Sequence, residues 1–168
     1  MNGYHFTGDT LRDGRPIPLI GEWLEHDGPI EPCQSGLHAS EHPFDALSVA
    51  RGNMLHKVEL EGDLQSHGDP INKWVGRRRK ILATIDAEPL LREFARWCAL
   101  QVMGDESLRD AAGAAAATWD AARDAAWAAQ REKFRELTEA RFRDSETMNG
   151  GTATNDGQSQ RTGIDTSG

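Results

Sequence analysis

The most regular pattern of apolar and polar positions is "NMLHKVELEG", where Met54, His56, Val58 and Leu60 alternate with Leu55, Lys57 and Glu59. Strict period-two alternation predicts a strand. It also sets an imidazole, His56, among apolar side chains, where the ring must be hydrogen-bonded or exposed in a cleft. "RRKILATIDA" predicts a second strand through Ile81, Ala83 and Ile85, and "GYHFT" a short one at the N-terminus. Tyr4 and Phe6 then share one face and His5 takes the other. "GEWLEHDGPIEPC" sets Trp23 and Leu24 before an Asp27-Gly28-Pro29 turn signal and Ile30 after it. That arrangement predicts a hairpin whose second strand is irregular, because Pro29 and Pro32 cannot donate to a ladder.

The period changes to helical in three places. Phe44, Leu47 and Ala50 recur at helix spacing after Ser40. Ser40 is read as the N-cap, Pro43 as a first-turn residue, and Gly52 as the stop. In "EPLLREFARWCALQVM" the positions Leu90, Leu91, Phe94, Ala95, Cys98 and Val102 form one stripe, which predicts a helix packed on a sheet. From Asp105 onward, alanine and a capping Asp-Glu start predict a helix over 106–143, about 55 Å long. Residues 61–73 read as a polar loop, and the Gly, Thr, Ser and Asn after Ser145 read as a disordered tail. The expected class is α+β: a small mixed sheet with short helices in a globular domain over 1–104, a long Ala-rich helix over 105–144, and a tail over 145–168.

Composition and charge narrow the function. The net charge of -8 in 168 residues disfavours general nucleic-acid binding. One basic run, Arg77-Arg78-Arg79-Lys80, departs from that balance and reads as a solvated strand edge. The N-terminus has neither the basic start nor the apolar run of a signal peptide, and no stretch of about 18 apolar residues is present. The expected location is the cytoplasm, without membrane contact. An Ala-rich helix face buries little area, so Trp119 and Trp127 are the expected anchors of the long helix, against the globular part or against another chain, a protein partner or a second copy.

Candidate chemistry gathers in "PCQSGLHASEHPFDAL". Cys33, His38 and His42 form C-x4-H-x3-H, and sulfur with two imidazoles suits zinc. His38 on a strand and His42 in a helical turn do not converge by spacing alone, and His56 joins them only if its strand lies alongside. No metal is therefore expected, and the corner reads first as a folding device. No phosphate loop, dinucleotide fingerprint or nucleophile elbow occurs.

Two resemblances follow from these residues. "YHFT", "LRDGRPIP", "GPIEPCQSGLHASEHPFDAL" and "VELEGDL", with "IDAEPLLREFARWCALQV" behind them, resemble an uncharacterised family of bacteriophage and actinobacterial proteins, marked by C-x2-G-L-H-A-S-x-H-P. That resemblance implies a phage or prophage accessory protein and no stated activity. The order of "YHFT", "GLHAS", "PFDALSVA" and "LHKVELEG" is also similar to that of ADP-ribosyltransferases. It implies NAD as ligand, with His5 holding the nicotinamide ribose, Ser40 matching by motif, and His38 standing where an aromatic residue is expected. Glu59, with Glu61 beside it, is the nearest candidate for the catalytic carboxylate. Without these enzyme features the expected mode of action is binding, with no cofactor.

Overall fold

A computed structural model of the chain describes residues 1–104 and 116–150, with side chains described for 1–101 and 123–148. The element order is β1 (Asn2–Thr7), β2 (Trp23–Glu25), β3 (Leu37–Ala39), α1 (Pro43–Leu47), β4 (Met54–Glu61), β5 (Gln65–His67), β6 (Lys73–Gly76), β7 (Arg78–Asp86), α2 (Glu88–Gly104) and α3 (Ala116–Gly150). The class is α+β. Its strands form two antiparallel sheets where the sequence reading placed one mixed sheet. The first has the order β1-β4-β7-β2 and the second β3-β6-β5.

The central strand β4 has two differently packed faces. Leu55 joins Phe6, Ile85 and the helices in one core, whereas Val58 and Leu60 join Ala39 and Ile81 in another, against which Leu37 and Trp74 pack. The layers are thus helices, the four-stranded sheet, and the three-stranded sheet. A bulge makes this possible. The β4–β7 register runs Lys57↔Ala83 and then Val58↔Ile81, leaving Leu82 without an opposite residue. Simple alternation would put Ile81, Ala83 and Ile85 on one face. The extra residue instead turns Ile81 toward the second sheet and leaves Ile85 under the helices.

Several expected elements differ in extent. β2 pairs with β7, Trp23 opposite Lys80, and forms no hairpin with the segment that follows. Pro29 and Pro32 account for this, since neither has an N–H for a ladder. The 61–73 loop contains the fully exposed strand β5, whose Gln65-Ser66-His67 has no apolar position to betray it. His42, not Ser40, caps α1: its side chain accepts a hydrogen bond from the Phe44 N–H, and the helix stops at Leu47. Pro43 is in the first turn as expected.

α3 runs to Gly150, beyond the expected end at 143, while the expected start at 106 and the tail over 151–168 lie outside the described residues. Within the described residues its most buried contacts come from residues other than the tryptophans. Phe134, Thr138 and Phe142 are completely buried, and they recur every four residues on one face. Phe134 meets Phe94 edge-on at 5.0 Å and Phe44 at 6.0 Å, Tyr4 lies 6.4 Å from Phe142, and Arg131 forms an ion pair with Asp45 of α1. Trp127 touches Phe44 at 4.9 Å but stays 56% exposed, and the side chain of Trp119 lies outside the described residues. Two phenylalanines therefore anchor the helix within the described part. Among the described residues no helix is long and apolar enough to cross a membrane.

Candidate functional site

The face of the first sheet that meets β3 carries an unusual polar group. Antiparallel pairing sets His5 of β1 opposite His56 of β4, and His56 opposite Thr84 of β7. Cross-strand partners share a face, and the bulge at Leu82 brings Arg79 onto the same side. His56 is almost fully buried at 1% exposure, and both ring nitrogens are occupied. Nε2 lies 2.9 Å from the Thr7 hydroxyl and Nδ1 lies 2.8 Å from the Thr84 hydroxyl. The Thr7 hydroxyl already donates to the Gly8 carbonyl, so Nε2 carries the proton and Nδ1 accepts from Thr84. The imidazole on the apolar strand face is accordingly a satisfied one.

Burial, and then the nearby Arg79 charge, lower the His56 pKa to about 4. The unfolded chain takes up this proton near pH 6.5, and the folded chain takes it up only near 4. Stability is thus fully present above 6.5 and is lost as the pH falls toward 4, by roughly 3 kcal/mol from this residue. Burial lowers His38 and His42 as well, so their contributions share that sign. Urea unfolding midpoints between about pH 7.5 and 4.5 should show the loss. His56→Gln, though less stable, should flatten that profile relative to the native chain, and equal steepness in both would contradict this origin.

The C-x2-G-L-H-A-S corner is built by close approaches. Gly36 has φ +110, and a Cβ there would meet Val75 Cγ2 at 2.5 Å, so glycine is needed to turn the chain into β3. At the other end of β3, Ser40 and Tyr4 exchange backbone hydrogen bonds of 2.7 and 3.0 Å. A Cβ at Gly3 would lie 2.6 Å from the Ser40 carbonyl oxygen, so Gly3 lets the corner lie against β1. These contacts hold Ser40, His38 and His5 around one hollow.

That hollow is a cleft of about 910 Å³ between β1, the loop that follows it and the 33–40 corner. His5, His38 and Ser40, three of the sequence-derived candidates, line it together with Cys33. Its charge is opposite to that of the chain. Five cations, Arg12, Arg15, Arg51, Lys73 and Arg79, line it against two carboxylates, Asp9 and Asp13, and Asp13 is paired with Arg15. Glu59 is elsewhere. It extends from the opposite face of β4, 2.5 Å from Lys80, while Glu61 pairs with Arg78 at 2.6 Å.

Arg79 is the residue the sequence reading missed. It is only 6% exposed, and among the described residues its one side-chain hydrogen bond runs 2.7 Å from a guanidinium nitrogen to the His38 carbonyl oxygen. No carboxylate among the described residues neutralises it. Burial brings its pKa down to about 10, so it remains charged at neutral pH. Its neighbours in the basic run are otherwise engaged. Arg77 pairs with Asp63, and Arg78 and Lys80 lie over the Trp23 ring at 4.7 and 4.4 Å.

The metal candidates divide. The Cys33 N–H donates to His38 Nε2 at 3.2 Å, and Lys73 Nζ lies 3.9 Å from Cys33 Sγ. His42 is turned to α1 and α3, where burial and Arg131 act on it, and His56 is held by its two threonines. Among the described residues no group of three or more His, Cys, Asp or Glu side chains is placed to hold a metal ion.

A family model described as Domain of unknown function (DUF7666) matches residues 1–93, and the chain belongs to that family. The matched span contains every residue that lines the cleft. Comparison with curated proteins and with solved structures found no match.

Proposed function

We propose that this member of the family is a phage or prophage accessory protein, acting in the host cytoplasm, whose working part is a cleft for a small anionic ligand. The observation that carries the reading is Arg79, a buried guanidinium without a counter-charge among the described residues, on the wall of a cationic hollow. A buried charge is costly until it is paired. A ligand phosphate or carboxylate would supply the missing charge, and the planar guanidinium suits either.

The volume and the several cations favour a phosphorylated compound up to dinucleotide size. NAD is one such compound, supported by the resemblance at His5 and Ser40. The reading is one of binding and does not extend to group transfer, because Glu59 and Glu61 lie outside the cleft in ion pairs.

Thermal unfolding of the whole chain at low ionic strength, with pyrophosphate, ADP and NAD, tests this. A ligand at a hundred times its Kd adds about 2.7 kcal/mol of stability. Stabilisation that shrinks as sodium chloride is raised supports the reading, and no shift with any of the three overturns it. The exposed indole of Trp127 supports a second activity, self-association along α3. Sedimentation equilibrium should then show dimers that Trp127→Ala abolishes, and monomers at all concentrations would remove that activity.

A further inference from the structure

Three histidines lie close enough to Arg79 for its charge to act on their rings, and two of those rings are committed to the fold. His56 is held between Thr7 and Thr84. His38 accepts the Cys33 N–H and interacts with the Gly36 backbone through the rest of its ring. His5 differs. It lines the cleft, is partly buried, and its ring makes no hydrogen bond to any described residue.

It is also held neutral from every side. Burial acts first, then Arg79 from β7, His56 from β4 and His38 from β3, and together they put its pKa well below the usual histidine value. Lys73 of β6 and Arg12 of the loop add positive charge around His38. The two carboxylates of the cleft, Asp9 and Asp13, are on the loop after β1, and neither is among the groups that shift His5.

We propose that His5 and Arg79 form one oxyanion-binding pair for a doubly charged group, a phosphoryl or sulfuryl end, and that His5 gains a proton from solvent when the group is seated. The inference rests on the anionic-ligand reading above. A singly charged group is balanced by Arg79 alone. A dianion carries one negative charge beyond the one that Arg79 balances, and His5, a cleft-lining ring with unused nitrogens, is able to take a proton beside it. The resulting imidazolium donates to one oxygen of the anion while Arg79 donates to the others. No covalent bond forms or breaks. The cleft therefore prefers phosphomonoester or terminal phosphate ends to carboxylates, and binds them more tightly as the pH falls.

Titration calorimetry with sulfate, which stays doubly charged throughout, measures the proton directly when run in two buffers of different ionisation enthalpy. The expected result at about pH 7 is uptake of roughly one proton per sulfate, with affinity rising up to tenfold for each unit of decreasing pH. Nitrate, with one charge, should bind without uptake. His5→Gln should bind sulfate more weakly, with no uptake and a flat pH profile. In the native chain, ring nitrogen NMR shifts of His5 should move to imidazolium values on adding sulfate, a readout independent of how the variant folds. Sulfate binding without proton uptake, or uptake that persists in His5→Gln, overturns the pairing and leaves the anionic-ligand reading intact. Failure of sulfate, pyrophosphate and nitrate alike to bind removes both.

Discussion

Arg79→Met is expected to abolish the response to anions while leaving the empty protein at least as stable as the native one in anion-poor buffer. Methionine keeps the length and apolar stem that cross the β7 face, and removes a charge whose burial nothing in the described chain offsets. The loss for the ligand is large because charge-assisted hydrogen bonds in a sheltered site are worth about 1.5–3 kcal/mol each. Affinity for pyrophosphate should fall at least about 100-fold. The substitution also gives up the bond to the His38 carbonyl, which limits any gain in stability. Relief from the Arg79 charge should raise the pKa of His56, since that charge is the second cause of its depression. Urea unfolding with and without pyrophosphate checks both effects. An Arg79→Met protein that keeps the native pyrophosphate response would show that the rim cations, not Arg79, hold the ligand.

The second large effect concerns α3. Phe134→Ala and Phe142→Ala should each cost about 3–5 kcal/mol, since each removes a completely buried ring from an aromatic cluster that cannot collapse around the void. Phe134 contacts the rings of both Phe44 and Phe94, whereas Phe142 lies under the Lys57 ammonium at 4.6 Å and beside Tyr4. The family match ends at residue 93, so in this chain the apolar face of the first sheet is completed by residues beyond the matched span. Unfolding midpoints in urea give the cost directly. A loss below about 1 kcal/mol at both positions would mean that the helix lies on the sheet without contributing to its core.

The strands with strong apolar patterns were legible in the sequence. β1, β4 and β7 follow from alternation. Of the α2 stripe Leu90, Leu91, Phe94 and Cys98 pack on the core, whereas Ala95 is exposed, Trp97 packs in addition, and the side chain of Val102 lies outside the described residues. The first-turn place of Pro43 was legible too. β5 was not, because three exposed polar residues make a strand only through their pairing with β6. Nor was the bulge at Leu82, which no residue type signals and which decides the face on which Ile81 and Arg79 lie. Arg79 was hidden in a run of four basic residues whose members are equivalent in composition and unlike in place. Phe134, Thr138 and Phe142 stand at intervals of four in the sequence, but the charged residues between them give the segment little overall apolar character, so the stripe is marked by spacing alone. His5, His38 and Ser40 are each visible in the sequence, and only the resemblance to ADP-ribosyltransferases groups them. What brings them together is the Tyr4–Ser40 backbone pairing that Gly3 permits, and no pattern announces that contact.

The central claim is that a buried, unneutralised guanidinium makes the cleft an anion site, and crystals of the whole chain soaked in selenate test it most directly. The account predicts an anomalous selenium peak within hydrogen-bond distance of the Arg79 guanidinium and the His5 ring. A cleft without such a peak, with Arg79 instead paired to a carboxylate of its own chain, would contradict it.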